Sequence, residues 1–498
     1  MTPTRLARTS PLTADGAGPM TSPPSSPPRS DPTDPARLRS SVCSQRPTPP
    51  EDLAARQQPG SPDRREVRPV RRTVVAPDER SPHVHDHGDA PGPVRTDRPR
   101  PVGPPPPGPG AAVSVTAALP VPPEPARRSL APDLARGAVL LFIAMANVVA
   151  WLYGREIGAG YRPLEGSRLD HGVDLLVSLL VDHRSYPLFA MLFGYGIWQM
   201  TRSAERRGVR YSQTRRTLLR RNGWLVVLGL LHAASLFAGD ILLSYGATGL
   251  IALLLVRRST RTLIIWVGAS LVATALLYTA VAVSTPATMA VEAPSSYLTQ
   301  AAVSASSHVM SLVFELPVML APVLIGVLVG RWGLLDRPWE HTRVLVRTAV
   351  LATTVSVLGG APFALVVAGV LDPAPAARVV AEVSHFVTGT AGGAGYLAAF
   401  ALVAAALHGR PRTGAVRALG AVGQRSLTCY LLQSVLFFAL MSVWGLGLGV
   451  QLGTAAAYGL AVAVWGLTVL VAVLLDRAGR RGPAEVLLRR LTYGRTPA

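Results

Sequence analysis

The sequence predicts an all-α protein, a polytopic transmembrane helical bundle of about ten spans behind a disordered N-terminal tail. Apolar segments follow one another from Gly137 to Leu475, and about 20 mostly apolar residues are enough for one spanning helix. Arginine clusters occupy every second gap between these segments. That alternation is the pattern of the positive-inside rule, so it predicts both the class of protein and its orientation.

Residues 1–126 form the first predicted region, a proline- and arginine-rich cytoplasmic tail. They contain 30 of the 44 prolines of the chain. A segment so poor in apolar side chains cannot bury enough surface to offset its chain entropy. We therefore expect this tail to be disordered and dispensable, and residues 127–495 to form the transmembrane domain. A later start of translation, at Val113, Val115 or Val121, is an alternative.

The formal net charge is +20, yet its placement does not indicate nucleic acid as a partner. Most of the excess lies in short gaps between apolar segments, where it acts as a topology signal. The lipid bilayer is therefore the expected partner, and no oligomeric state is predicted. The two cysteines, Cys43 and Cys429, lie in the tail and in a span, and they indicate neither a disulfide framework nor a metal site.

Ten apolar segments are candidates for spanning helices. The gap at 201–221 contains eight arginines, and further clusters follow the fourth, sixth, eighth and tenth segments. The gaps between these clusters contain few arginines. This alternation predicts that both termini lie in the cytoplasm and that the protein is a multi-pass protein of a bacterial inner (plasma) membrane. The predicted segments are 137–154, 172–200, 222–239, 241–256, 263–284, 308–330, 346–371, 385–408, 426–447 and 454–475.

The second segment is irregular, because Asp182-His-Arg184 and Pro187 interrupt its apolar stretch. Either a helix from Gly172 to Val181 lies at the interface and the span begins near Tyr186, or a broken helix lines a polar cavity. Asp182 and Arg184 are therefore candidates for substrate binding. The alternative is a neutralised pair that holds a kink.

Three ionisable residues inside the spans are the candidates for catalysis: His232, Asp240 and Glu315. Such residues cost a few kcal/mol in a bilayer, and a shared polar cavity lowers that cost. We expect the three to converge in the outer half of the membrane, with Tyr245 and Asp182 or Arg184 beside them. His232 and Asp240 are eight residues apart and would share a face if the helix persisted. Structural alternatives are an interhelical hydrogen bond for His232 and a solvated turn for Asp240.

Asp133 and Arg136 lie one turn apart at the cytoplasmic start of the first span. A guanidinium group at this position suits a phosphate-bearing ligand, so both are candidates for substrate binding. The alternatives are that Asp133 complements the helix dipole and that Arg136 is an ordinary positive-inside anchor.

Several short motifs follow one another along the apolar part of the chain. They are Asp133-Leu-Ala-Arg136-Gly137, Asp182-His-Arg184, Leu192-Phe-Gly-Tyr-Gly196, Gly229-Leu-Leu-His232, Gly239-Asp-Ile-Leu242 with Tyr245, Gly423 to Ser434, and Gly482 to Gly494. Over about 127–495 these motifs resemble the YeiB-like family of bacterial membrane proteins, a domain of unknown function. The chain departs from the usual pattern at Gln424 and Cys429. Thr428 and Gln433, which stand in one of these motifs, are further candidates for substrate binding.

The YeiB-like family is similar in outline to membrane acyltransferases of the heparan-alpha-glucosaminide acetyltransferase type. This resemblance implies transfer of an acyl group from cytoplasmic acyl-CoA, as a possible cosubstrate, to a small-molecule, glycan or lipid acceptor at the outer face. Arg136 would then hold the CoA phosphates, and His232, oriented by Asp240 or Glu315, would be the general base. The alternative is a proton-coupled transporter or efflux protein, in which Glu315, Asp240 and His232 form a proton relay.

Overall fold

A computed structural model describes residues 129–411 and 414–494, together with Gly103. The predicted disordered tail therefore lies outside the described residues, Gly103 excepted. Helices account for nearly all of the described regular structure. In chain order they are α1 (Leu130–Val148), α2 (Arg168–Leu180), α3 (Ser185–Arg206), α4 (Tyr211–Ser235), α5 (Leu242–Leu255), α6 (Thr260–Ser284), α7 (Tyr297–Arg331), α8 (Thr342–Val367), α9 (Pro375–Ala406), α10 (Gly414–Gln424), α11 (Ser426–Met441), α12 (Leu448–Gln451), α13 (Thr454–Arg477) and α14 (Pro483–Tyr493).

The helices confirm the all-α, multi-span class. A helix occupies each of the ten apolar segments, and seven stretches of the described chain are long and apolar enough to cross a membrane. α5 and α11 are shorter apolar helices, while α4 begins with an arginine-rich turn. In α6 only 11% of the most apolar window is buried, so its aliphatic side chains face outward, as lipid-facing residues do. The protein is therefore a multi-pass membrane protein.

A short antiparallel pair of strands lies at one end of the bundle. β1 (Arg155–Ile157) follows α1, and β2 (Met289–Val291) follows α6. Glu156 pairs with Ala290 in the centre of this ladder. Two 3-10 turns follow α1 and β1, and a third precedes α8. The strands thus tie together the connections that leave α1 and α6 at the same end.

The second predicted span is a broken helix, interrupted between α2 and α3. His183 adopts φ +56° at the break, a left-handed value that is uncommon for a residue with a side chain. Arg184 donates to the carbonyl oxygens of Ser178 at 3.1 Å and of Ser356, on α8, at 2.8 Å. Its guanidinium group therefore satisfies a carbonyl oxygen before the break and joins the break to α8.

The connection between α4 and α5 differs from the sequence-based expectation. A continuous helix was expected to place His232 and Asp240 on one face, but α4 ends at Ser235 and the chain turns back before α5 begins. Gly229 allows the two helices to approach, because a Cβ atom there would overlap the backbone nitrogen of Leu243. The two residues meet across this turn and not along one helix.

Glycines also permit the close crossing of α3 and α7. A Cβ atom on Gly194 would overlap the carbonyl oxygen of Val323, and one on Gly326 would overlap the carbonyl oxygen of Met191. Small residues allow helix backbones to approach within membranes, where van der Waals packing drives association. This crossing fixes α7, and with it the polar residues of the site, against the bundle.

Candidate functional site

A cavity of about 1490 Å³ lies at the end of the bundle that carries β1 and β2. Its wall includes residues of α1, α5, α6, α7, α8 and α9, together with the break between α2 and α3. A space of this size accommodates a ligand larger than a typical small molecule. The ionisable residues that line it are Arg162, Asp182, His183, Asp240, His308, Glu315, Asp372, Arg378, Glu382 and His385.

His232 and Asp240 form a buried pair at one side of this cavity. Nδ1 of His232 lies 2.7 Å from Oδ1 of Asp240. The other carboxylate oxygen accepts the backbone N–H of Leu243 at 2.8 Å, in the first turn of α5. With Asp240 ionised, Nδ1 of His232 carries the proton and donates it to this hydrogen bond. Asp240 lines the cavity, whereas His232 lies behind it.

His308, on α7, connects Asp240 to Glu315. Its Nε2 atom lies 3.8 Å from Oδ2 of Asp240, and its Nδ1 atom lies 3.8 Å from Oε1 of Glu315. The sequence analysis missed this histidine, although its position seven residues before Glu315 places both on one face of a helix. The structure therefore brings all three predicted catalytic residues together, with His308 as the link.

Hydroxyl groups hold Glu315 in place. Ser311, one turn earlier on α7, donates to Oε1 at 2.6 Å. Ser244, on α5, donates to Oε2. Both carboxylate oxygens of Glu315 therefore have a hydrogen-bond partner inside the bundle.

Tyr430, on α11, lies against the His232 side of the cluster. Its ring centroid is 5.3 Å from that of His232, and its hydroxyl oxygen accepts the backbone N–H of Ile241 at 3.3 Å. The hydroxyl group therefore supports the turn that carries Asp240. This tyrosine belongs to a motif of the family resemblance, but its contact with the site was not predicted.

A second polar network holds Asp182. Its carboxylate lies 2.7 Å from the guanidinium group of Arg162, in the loop after β1, and not against that of Arg184. Arg162 also contacts Asp174, on α2, at 3.4 Å. Burial alone would lower the pKa of Arg162, but these carboxylates and Tyr458 raise it above its ordinary value. The alternative of a neutralised Asp182–Arg184 pair is thus replaced by an ion pair between the loop and the helix break.

Asp174 is itself anchored from α13. The hydroxyl groups of Tyr458 and Thr454 donate to its two carboxylate oxygens at 3.1 and 3.0 Å. A buried carboxylate with two hydroxyl donors and a guanidinium neighbour is fully satisfied. This arrangement fixes the loop that carries Arg162 over one side of the cavity.

Two further predicted residues, Arg184 and Tyr245, lie behind the cavity wall. Arg184 is 1% exposed and is directed at carbonyl oxygens and at Nδ1 of His385, 3.4 Å away. The hydroxyl group of Tyr245 donates to the carbonyl oxygen of Tyr186 at 3.0 Å. Both residues support the wall and do not line it.

Asp133 and Arg136 lie at the opposite end of α1. Their side chains approach to 3.5 Å, and Arg136 also donates to the carbonyl oxygen of Leu192 at 3.3 Å. Asn147, near the other end of the helix, lines the cavity. At 1.5 Å per residue, about 16 Å of helix separates Asn147 from Arg136. Asp133 and Arg136 therefore lie away from the cavity, at the far end of the bundle.

Thr428 and Gln433 are also outside the cavity. The carboxylate of Glu485 accepts the backbone N–H groups of Leu427 and Thr428 at 2.8 and 3.1 Å, as well as the Thr428 hydroxyl. This contact joins the first turns of α11 and α14. The Gln433 amide donates to the carbonyl oxygen of Leu140, on α1, at 3.3 Å. Thr428 and Gln433 therefore connect helices to each other and do not line the cavity.

Comparison with known proteins relates the chain to the family of the resemblance. Residues 329–495 match the family described as "Protein of unknown function (DUF418)". Over 133 residues the chain is 34% identical to "Uncharacterized protein YeiB" of Escherichia coli (strain K12), an alignment that covers 26% of this chain and 31% of YeiB. Over 402 residues it is 24% identical to "Uncharacterized protein YxaH" of Bacillus subtilis (strain 168), with 72% and 93% of the two chains covered. These matches confirm the YeiB-like resemblance.

Proposed function

We propose that this membrane protein transfers an acyl group to a hydroxyl-bearing acceptor held in the cavity. The observation that carries the proposal is the series of contacts from His232 through Asp240 and His308 to Glu315, with His308 on the cavity wall. The imidazole ring of His308 thus lies between the carboxylates of Asp240 and Glu315. Such a group is suited to general acid–base catalysis.

In the proposed reaction, His308 accepts the proton of the acceptor hydroxyl group. The hydroxyl oxygen attacks the carbonyl carbon of an acyl thioester, so that a C–O bond forms and the C–S bond breaks. His308 then returns the proton to the thiolate that leaves. Nδ1 of His308 lies 3.8 Å from Glu315, and this separation would shorten when substrate excludes water. Nε2, which has no hydrogen-bond partner among the described residues, is then the atom that accepts the proton. His232 positions Asp240, whereas the sequence analysis assigned the role of base to His232 itself.

The donor in this proposal is cytoplasmic acyl-CoA, bound at the far end of α1. Arg136 lies there, and Arg221, on α4, stacks over the ring of Phe193 at 5.2 Å. Guanidinium groups bind phosphates in bidentate geometry. In this proposal that end lies in the cytoplasm and the cavity lies at the outer face of a bacterial inner membrane, with both termini inside. The arginine-rich gaps support this orientation through the positive-inside rule.

Acyl transfer can be tested with full-length protein in proteoliposomes. Radiolabelled acetyl-CoA is added with a membrane extract as the source of acceptors, and label that leaves CoA is separated by extraction. We expect His308→Gln to slow transfer by about 10²- to 10⁴-fold. His171→Gln, on α2 and outside the cavity lining, is the matched control. Absence of transfer by the wild-type protein with every extract would contradict acyl-transferase activity.

A proton-coupled transporter is the second candidate. One observation favours it: the contacts lead from the cavity wall to His232, whose Nε2 atom is buried without a hydrogen-bond partner among the described residues. A relay of this kind would carry protons away from the cavity. Proton uptake by proteoliposomes in the absence of any thioester, lost in Glu315→Gln, would support transport. Acyl transfer without any proton flux would contradict the transporter.

A further inference from the structure

The wall of the cavity formed by α3, α6 and α9 carries a cluster of aromatic rings. We call these residues the aromatic wall. Neighbouring rings lie within 6.1 Å of each other, measured between centroids. Its members are His183, Tyr186, Tyr278, His385 and Phe386, and all of them line the cavity.

The same cavity contains more acidic than basic side chains. Five carboxylates line it in the described part of the chain, against two guanidinium groups, which leaves an excess of three negative charges. The protein as a whole has a net charge of +20, so the net charge of the cavity lining is opposite in sign to that of the chain. Arg162 and Asp182 neutralise each other at 2.7 Å. The excess therefore comes from Asp240, Glu315, Asp372 and Glu382, with Arg378 as the remaining cation.

The excess charge and the aromatic wall meet at Tyr278. This tyrosine lines the cavity together with Glu315 and Glu382, and its ring packs against that of Phe386. Glu382 and Phe386 are four residues apart on α9, so they share a helix face. Arg378, one turn before Glu382, donates to the carbonyl oxygen of Ala287 at 3.2 Å. Behind the wall, Arg184 is occupied by carbonyl oxygens.

His385 adds a buried polar atom with no partner. Nδ1 of His385 lies 3.4 Å from the guanidinium group of Arg184. Nε2 has no hydrogen-bond partner among the described residues, although the residue is 1% exposed. A buried ring nitrogen at a cavity wall is satisfied when a ligand offers it a hydroxyl group, which can both donate and accept.

From these contacts we infer that the aromatic wall, with Glu382 and Glu315, binds an organic cation, an alkyl- or quaternary ammonium group that also carries a hydroxyl group. The faces of the rings attract the cationic methyl or methylene groups. The carboxylates supply the opposite charge, and the hydroxyl group forms a hydrogen bond with Nε2 of His385. This inference does not depend on acyl transfer, because an acceptor or a transported molecule would occupy the same wall.

Choline and its neutral carbon isostere, 3,3-dimethyl-1-butanol, test this inference. The two differ in charge but have nearly the same shape, so the ratio of their affinities measures recognition of charge alone. Saturation-transfer NMR on the full chain in nanodiscs, without any thioester, gives both affinities. We expect choline to bind about 3- to 30-fold more tightly than the isostere, the range of a desolvated cation–π contact. Equal affinities would overturn the inference.

Variants test whether the preference for choline over its isostere arises from the aromatic wall. Glu382→Gln removes one charge with little change of shape, and Tyr278→Leu removes one ring; both should bring the affinity ratio close to one. Tyr278→Phe keeps the ring, and Glu165→Gln removes a carboxylate outside the cavity, so both should keep the wild-type ratio. Unchanged affinity for the isostere shows that each variant is folded. A wild-type ratio in both Glu382→Gln and Tyr278→Leu would overturn the inference.

Discussion

Nδ1 of His232 lies 2.7 Å from Oδ1 of Asp240, although a helix end and a turn separate the two residues. The second oxygen of the same carboxylate accepts the backbone N–H of Leu243. Asp240 therefore joins the end of α4 to the start of α5 and also contacts His308 on α7. A single carboxylate connects three helices around the cavity, so its loss should affect both stability and activity.

Asp240→Ala should lower the thermal stability of the protein in detergent. The substitution removes both hydrogen bonds and leaves the His232 ring and the Leu243 N–H group without an acceptor. Hydrogen bonds to a charged group contribute about 1.5–3 kcal/mol each. Asp240→Asn keeps an acceptor oxygen and should lose less stability, although it removes the charge beside His308. Equal melting temperatures for wild type and Asp240→Ala would contradict this role.

Glu315→Gln should abolish activity without lowering expression. The amide oxygen still accepts a proton from Ser311 or Ser244, so the packing of α7 is retained, but the negative charge beside His308 is lost. Glu315→Leu also removes the acceptor and should reduce the yield of folded protein. Activity and size-exclusion profiles of the two variants separate these effects. An active Glu315→Gln protein would show that the charge of Glu315 is not required.

The apolar segments and the alternation of arginines predicted most of the fold, because length and hydrophobicity alone decide which segments cross a bilayer. The cost of charge in a membrane also identified His232, Asp240 and Glu315 as residues that lie close together, although His232 stands behind the cavity wall. His308 was missed because it lies at the edge of its predicted span. The partner of Asp182 was missed because Arg162 stands in a loop, and sequence spacing gives no distances between a loop and a broken helix.

Gly326→Val should destabilise the crossing of α3 and α7. Its side chain would overlap the carbonyl oxygen of Met191, and overpacking of this kind costs about 1–3 kcal/mol. Gly268→Val, on α6, is the matched control, because a Cβ atom there meets nothing within 4 Å. Thermal unfolding in detergent should show a lower melting temperature for the first variant alone. A similar decrease in both variants would argue against a specific crossing.

Reporter fusions at Gly208 and Ala293 should report opposite sides of the membrane. Gly208 lies in the arginine-rich connection between α3 and α4, and Ala293 follows β2, at the end of the bundle that contains the cavity. The arginines should keep the first position in the cytoplasm. A cytoplasmic phosphatase or fluorescent reporter distinguishes the two sides. The same side at both positions would contradict the predicted orientation.

The proposed site depends on a cavity that opens to the outer face beside His308, and cysteine labelling tests this most directly. Ser311 lines the cavity one turn from His308, and the background replaces Cys43 and Cys429 by serine. In right-side-out vesicles, a membrane-impermeant thiol reagent should label Ser311→Cys from outside and stop activity. The reagent should not label Leu140→Cys, because Leu140 is buried in α1. Labelling from the cytoplasmic side only, or full activity after labelling, would contradict the proposed site.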